Sequence, residues 1–443
     1  MAGSVTVGPF ASRLTAPLFS DPAVNAALTD EAAVAAMVRV EAALAAVQGR
    51  LGVIPPDAAA RICAALEDFR ADFDAIGADA AVTGVPTVEF VAALRRHVGG
   101  EAATYVHWGA TSQDIIDTGF LLQARAVLEI ADRRLAGIVA KLKALADAHR
   151  ATPMAGRTRS QQALPISFGL KAARWAQPLI AHRARLEQMR PRVLQVQFGG
   201  AAGNLSALGP DGFAVADALA DELGLAPAPA NSHVARDGIG ELAAWLALVT
   251  GSLGKMGRDV SLMAMTEVGE LADSAGGGSS TLPQKANPIA AETLMTLAAY
   301  TATQLAGVFQ AAPQEHERGG PGWTAEWMLL PPMLAAAGGA LRTADAMLDR
   351  LVVRPERMRA NLEASNGLLL AEAASYALSA HMPRAEAQAL VKAACREAAD
   401  SGEHLIDLLR RTTDAPCDWD GLRDPANCLK ADGVAIDRIF AGS

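Results

Sequence analysis

The 443 residues predict an all-α protein: a central bundle of about five long helices, with smaller helical domains before and after it. Three observations carry this. Apolar residues make up 51% of the chain but aromatics only 5%, and alanine and leucine outnumber β-branched runs, a composition that favours helix. Apolar positions recur at steps of three, four and seven over stretches much longer than an average helix. No stretch alternates apolar and polar residues with the period of a strand.

The elements follow in order. Residues 1–20 read as extended, with Pro9 and Pro17 among small polar residues. Thr29-Asp30-Glu31 opens a helix, because a hydroxyl cap and early acids suit its positive end. Its stripe of Val34, Val38, Leu44, Val47 and Leu51 stops at Gly52 and Pro55-Pro56. Shorter helices are expected over 57–73 and 88–98. The first long helix spans 114–149, with Ile116, Phe120, Val127, Ala131, Ile138, Leu142 and Leu145 along one face. At 1.5 Å per residue it is roughly 50 Å long, a length that bundles need and compact domains seldom do. Further long patterns cover 165–196, 237–273, 288–312 and 323–351, with Pro178 and Pro331-Pro332 as expected bends. Arg354-Pro355 begins a smaller segment with helices over 368–380 and 384–401 and a looser tail over 414–424. The resulting division is 1–110, 111–353 and 354–443.

Charge and composition exclude several classes. A net charge of −9 argues against a general nucleic-acid binder. No uninterrupted apolar stretch reaches membrane-spanning length, and residues 1–17 lack a basic region followed by an apolar core. Cys63, Cys395, Cys417 and Cys428 have no metal-like spacing and read as reduced thiols of a cytoplasmic protein.

Four blocks between helices carry chemistry. Gly276-Gly277-Gly278-Ser279-Ser280-Thr281-Leu282-Pro283-Gln284-Lys285-Ala286-Asn287-Pro288 joins three glycines to hydroxyls, a cation and an amide, then to a proline suited to a helix start. It reads either as a solvated linker or as a mobile loop with a nucleophile or base beside an anion-binding cluster. His107-Trp108-Gly109-Ala110-Thr111-Ser112-Gln113-Asp114 reads as a helix cap or as hydroxyls and free N–H groups that bind a carboxylate, with His107 within reach. Ala155 to Pro165, with Arg157, Thr158, Arg159, Ser160, Gln161 and Gln162, reads as an interhelical turn or as a site for an anionic ligand rich in oxygen. Gln314-Glu315-His316-Glu317-Arg318 is a charged loop. A glycine turn, Gln197 to Gly203, allows close backbone approach. No metal spacing, phosphate loop or dinucleotide fingerprint appears. The expected chemistry is acid–base work on a polycarboxylate without cofactor or metal.

The glycine block resembles the signature GSSxMPxKxNP of the aspartase/fumarase superfamily, with Leu282 in place of Met. The blocks at 107–114 and 155–165 resemble that superfamily's other two signature regions, in the same order. The resemblance implies all-α homotetramers whose sites combine loops from three subunits. It implies Ser279 as the base, with Lys285 and Asn287 on one substrate carboxylate and Thr111 and Ser112 on another; Thr158, Gln161, Ser280 and His107 complete the expected contacts. Arg159 stands where fumarate-forming members have the histidine of Thr-His, which assists a leaving group. That departure, with the stretches 106–114, 194–201, 313–318, 323–327 and 422–425, resembles a lactone-closing branch that acts on a tricarboxylate in the protocatechuate route of aromatic catabolism. There the leaving group, read backwards, is a carboxylate with a conjugate-acid pKa of about 4, which departs without a proton donor. Lys285, Arg159 and Arg318 are then the expected cations. Gln284 and Ala286 depart from that branch and read as lining. The alternatives are another lyase of the superfamily, eliminating β to a carboxylate as adenylosuccinate lyases do, or a non-catalytic relative.

Overall fold

The computed structural model describes residues 8–278, 282 and 285–442. Ser279 and Ser280 lie outside the described residues, as do Thr281, Pro283 and Gln284.

The described residues are mostly helical. The N-terminal helices are α1 (Asp30–Arg50), α2 (Pro56–Leu66), α3 (Phe73–Thr83) and α4 (Thr87–Val98). Thr29 caps α1 through its hydroxyl, which accepts from Ala32 N–H. Five long helices follow: α5 (Ser112–Ala148), α6 (Phe168–Val193), α8 (Asp237–Met263), α9 (Ile289–Ala311) and α10 (Pro321–Arg350), with the shorter α7 (Asp211–Leu223) between α6 and α8. They are 23 to 37 residues long. Pro331 and Pro332 lie inside α10, which runs through them unbroken.

Two expectations need correction. The 155–165 block is not an irregular turn. Strands β1 (Pro153–Thr158) and β2 (Gln161–Ser167) pair antiparallel, Thr158 opposite Gln161, so Arg159 and Ser160 are the whole loop. Both have positive φ, +48° and +66°, the backbone of a twist-matched two-residue hairpin turn that glycine or asparagine usually fills. The second correction concerns 237–273: α8 stops at Met263, Gly269 turns the chain at φ +62°, and Leu271–Asp273 forms β3. Strand β3 pairs with β6 (Leu351–Val353).

The chain divides into two compact units. The first comprises Met1–Arg133, Arg183–Gly251 and Leu297–Arg342; the second comprises Arg134–His182, Ser252–Thr296 and Thr343–Ser443. Residues 1–110 fall wholly in the first and 354–443 wholly in the second. Residues 111–353 are shared, each long helix giving a part to both.

In the first unit α1 packs on α2 and α7. Helix α1 is long and apolar enough on average to cross a membrane. Arg39 and Glu41 interrupt it, however, and Glu41 is buried with Val40, Leu44 and Val47 in the core of this unit.

In the second unit β1 packs on α11 (Pro355–Glu363). Helices α12 (Ala371–Ser379), α13 (Arg384–Ser401) and α14 (Leu405–Thr412) close a separate apolar cluster on Leu378, Val391, Leu405, Leu408 and Leu409. The four cysteines are free and half-buried.

Candidate active site

The first unit gathers the Thr-Ser-x-Asp block and the glycine turn around one carboxylate. Asp114 is buried, three positions into α5, and reaches back to accept the Thr111 N–H at 2.9 Å. That is the return half of a capping box, with aspartate in place of glutamate. The same carboxylate accepts Gly199 N–H at 2.8 Å, Gly200 N–H at 3.0 Å and His233 Nε2–H at 2.7 Å. Gly200 has φ +68°, and a Cβ there would stand 3.0 Å from the Gly109 carbonyl oxygen, so the turn requires glycine.

Arg318 closes this node from the other side. Its guanidinium donates to the Ala201 carbonyl at 2.7 Å, the Gly200 carbonyl at 3.0 Å, Gln113 Oε1 at 3.2 Å and His233 Nδ1 at 3.2 Å. Four of the five N–H groups of an arginine are thereby used. His233, fully buried, is fixed as the Nε2–H tautomer, donating to Asp114 and accepting from Arg318. Arg318 thereby clamps the glycine turn.

Behind this node lies a buried ion cluster. Arg236 donates to both oxygens of Glu326, at 2.9 and 2.5 Å, and to Asp117 at 2.8 Å. Asp117 also accepts Trp323 Nε1–H at 2.8 Å and Gln113 Nε2–H at 3.2 Å. Burial works against the charged form of Arg236, but Asp117 and Glu326 outweigh it and raise its pKa. Burial likewise raises Glu326, against the pull of Arg236. Beside the cluster is a cavity of ≈ 400 Å³ whose walls include Met37, Phe120, Trp327 and Leu330.

His107 is held by a separate pairing. Its backbone has φ +65°, costly for a residue with a side chain. Its Nδ1 lies 2.5 Å from Oε1 of Glu41.

The second unit holds the other signature residues. Arg157 makes a two-pronged pair with buried Glu270, at 2.7 and 2.9 Å, and Asn361 donates to the same carboxylate at 2.9 Å. Glu270 is placed by the β3–β6 ladder, where Arg354 N–H donates to its carbonyl at 3.0 Å. Arg157 thus anchors the hairpin. Thr158, Arg159 and Gln161 are exposed around its tip.

The glycine loop is stapled at its base. Gly277–Gly278 (β4) pairs with Ala286–Asn287 (β5). A Cβ on Gly277 would come within 2.4 Å of Ile289, so this glycine serves close approach as well as freedom. Lys285 is exposed and Asn287 half-buried at the closing end.

His107, Thr111, Ser112 and Arg318 therefore share the first unit, and Thr158, Arg159, Gln161, Lys285 and Asn287 the second. Sequence reasoning missed Glu41, Asp117, His233, Arg236 and Glu326. The available signal was a lone acid on an otherwise apolar helix face, as in Val38-Arg39-Val40-Glu41-Ala42-Ala43-Leu44.

A family description for lyases matches residues 19–302. The chain belongs to that lyase family. A 3-carboxy-cis,cis-muconate cycloisomerase of Bradyrhizobium diazoefficiens is 42% identical, over 97% of this chain and 98% of its own. The crystal structure of 3-carboxy-cis,cis-muconate lactonizing enzyme from Pseudomonas putida matches with TM-score 0.90 and 38% identity, over 97% of this chain and 99% of that one. A trans-aconitate decarboxylase of Mycosarcoma maydis is 38% identical, over 96% of this chain and 88% of its own. The all-α fumarase/aspartase-like architecture expected from the sequence is the one this lyase family brings.

Proposed function

We propose that this protein is an enzyme that closes 3-carboxy-cis,cis-muconate to 4-carboxymuconolactone by cofactor-free acid–base addition, in protocatechuate (β-ketoadipate) catabolism. The observation that carries the reading is full-length similarity to cycloisomerases.

One substrate carboxylate oxygen attacks the alkene, and the new C–O bond closes the ring. The alkene electrons move toward the carbon α to another carboxylate, and Ser279 delivers its hydroxyl proton there. The serine recovers a proton from water before the next turnover. Read backwards, Ser279 is the base, and a serine alkoxide needs loop N–H groups and Lys285 in a dry site. Loop closure over substrate would exclude water.

Arg159 is assigned to the attacking carboxylate. Its exposure at the hairpin tip supports this, because Glu270 occupies the neighbouring Arg157 and leaves Arg159 as the cation at the turn. Lys285 and Asn287 are assigned to a second carboxylate, and Thr158, Gln161 and Ser280 are assigned further substrate contacts. Thr111, Ser112 and His107 take the third.

Purified protein should abolish the diene ultraviolet absorbance of 3-carboxymuconate. Ser279→Ala should slow this at least ~100-fold. No loss of absorbance overturns the activity, and an unchanged variant rate removes Ser279 from its role. Release of carbon dioxide from trans-aconitate, or of fumarate from a succinyl adduct, would move the protein to another branch of its family.

The same reading makes the protein a cytoplasmic homotetramer with sites shared between subunits. Large apolar side chains exposed on the long helices support this, among them Met328 at 78%, Leu262 at 54% and Phe309 at 53%. A native mass near four times the 45.8 kDa chain is expected by light scattering; a monomer would sink it.

A further inference from the structure

We propose that Glu41, on a helix outside all four interhelix blocks, is a positioning residue that fixes the imidazole of His107 and keeps it a charged donor toward a substrate carboxylate. The substrate half of this rests on the function proposed above; the Glu41–His107 half does not.

Four observations support it. Glu41 is 2% exposed, and its Oε1 lies 2.5 Å from His107 Nδ1, a charge-assisted distance. Gln48, fully buried two turns further along α1, donates to the Trp108 carbonyl at 2.8 Å. Residues seven apart share one helix face, so one stripe of α1 holds both the side chain of 107 and the backbone of 108. From the other side Arg95, on α4, donates to the Val106 carbonyl at 3.1 Å. Three consecutive residues are thus tied down, which is how a strained left-handed histidine persists. Finally, Nδ1 is used and the side chain is 15% exposed, so Nε2 is the nitrogen left to meet a ligand.

The charges facing His107 are Glu41 from α1, Asp114 from α5 and Arg95 from α4. Burial opposes protonation, but Glu41, by charge and hydrogen bond, together with Asp114, outweighs burial and Arg95, and the imidazole pKa rises above its ordinary value.

The test reads His107 directly. Exchange of the histidine C2 hydrogen for deuterium, followed by peptide mass spectrometry across pH, gives its titration midpoint without any substrate. The wild-type midpoint is expected above 6.5. Glu41→Gln keeps an acceptor oxygen and removes the charge, so the midpoint should fall by about one pH unit or more. In kinetics with 3-carboxymuconate the basic limb of kcat/KM should move down by the same interval, with the loss mainly in KM. A wild-type midpoint at or below 6.5 overturns the proposal, as does a folded Glu41→Gln variant with an unmoved midpoint. If Glu41→Gln does not fold, the wild-type midpoint alone decides. If the midpoints behave as expected and neither protein turns over 3-carboxymuconate, the Glu41–His107 pairing stands and the proposed substrate falls.

Discussion

Arg236→Met is expected to lower the unfolding free energy by about 3–5 kcal/mol near pH 7.5, the cost of removing one partner from a buried ion cluster. Arg236 is 5% exposed, and its guanidinium is the cation between two buried acids, Asp117 and Glu326. Methionine fills much of the volume, so the cavity contribution is small and the uncompensated carboxylates dominate. The deficit should depend on pH, with a sign that follows from burial. Glu326 already has a folded pKa above its ordinary value, because desolvation outweighs Arg236. A folded pKa raised above the unfolded one means stability that is present at low pH and lost as pH rises toward the folded value. Without Arg236 that window extends upward. The variant should therefore lie closest to wild type near pH 4.5 and furthest above pH 7. Urea unfolding at the two pH values measures this. A deficit that is equal at both, or under 1 kcal/mol, would mean that the cluster is not what stabilises this part of the first unit.

The long helices were legible because their signal is redundant. A stripe recurring over thirty residues, as in Ser112–Ala148, survives several exceptions. The hairpin was not, for local reasons. Its turn is Arg159-Ser160, not the Asn-Gly or Asp-Gly that announces a positive-φ loop, and Gly156, Pro165 and an irregularity between Ala155 and Arg157 break the alternation. The overrun of α8 has a similar cause. Met263, Val268 and Leu271 continue an apolar rhythm past the helix end, and only Gly269 marks the change. The signature residues could be read individually because their spacing is fixed within short blocks. The polar node that holds Thr111 could not. Asp114 lies 119 residues from His233, and Arg236 lies 90 from Glu326, so no spacing rule connects them. What sequence can offer is the anomaly, a charged residue where the helix period demands an apolar one. Glu41, Asp117 and Glu326 each fit that description.

Asp114→Asn is a nearly isosteric change and is expected to cost about 3–6 kcal/mol, because two of four hydrogen bonds to a charged acceptor become donor–donor contacts. The wild-type oxygens divide the work: Oδ1 accepts Gly199 N–H and His233 Nε2–H, while Oδ2 accepts Gly200 N–H and Thr111 N–H. An amide has one oxygen and one NH2, and either orientation sets the NH2 against a pair of donors. Rotation cannot relieve this, since both sides carry backbone N–H groups. His233 cannot relieve it by changing tautomer, because its Nδ1 would then meet the Arg318 N–H that it now accepts. The expected relaxation is release of the 199–201 turn and of the Thr111 end of α5, the segment to which the proposed function assigns a substrate carboxylate. Stability and substrate affinity should therefore fall together, with KM for 3-carboxymuconate rising in the fraction that remains folded. Urea unfolding measures the first and steady-state kinetics the second. If Asp114→Asn left both within about twofold of wild type, the four-donor arrangement around this carboxylate would be incidental, and the positioning of Thr111 and Ser112 would need another cause.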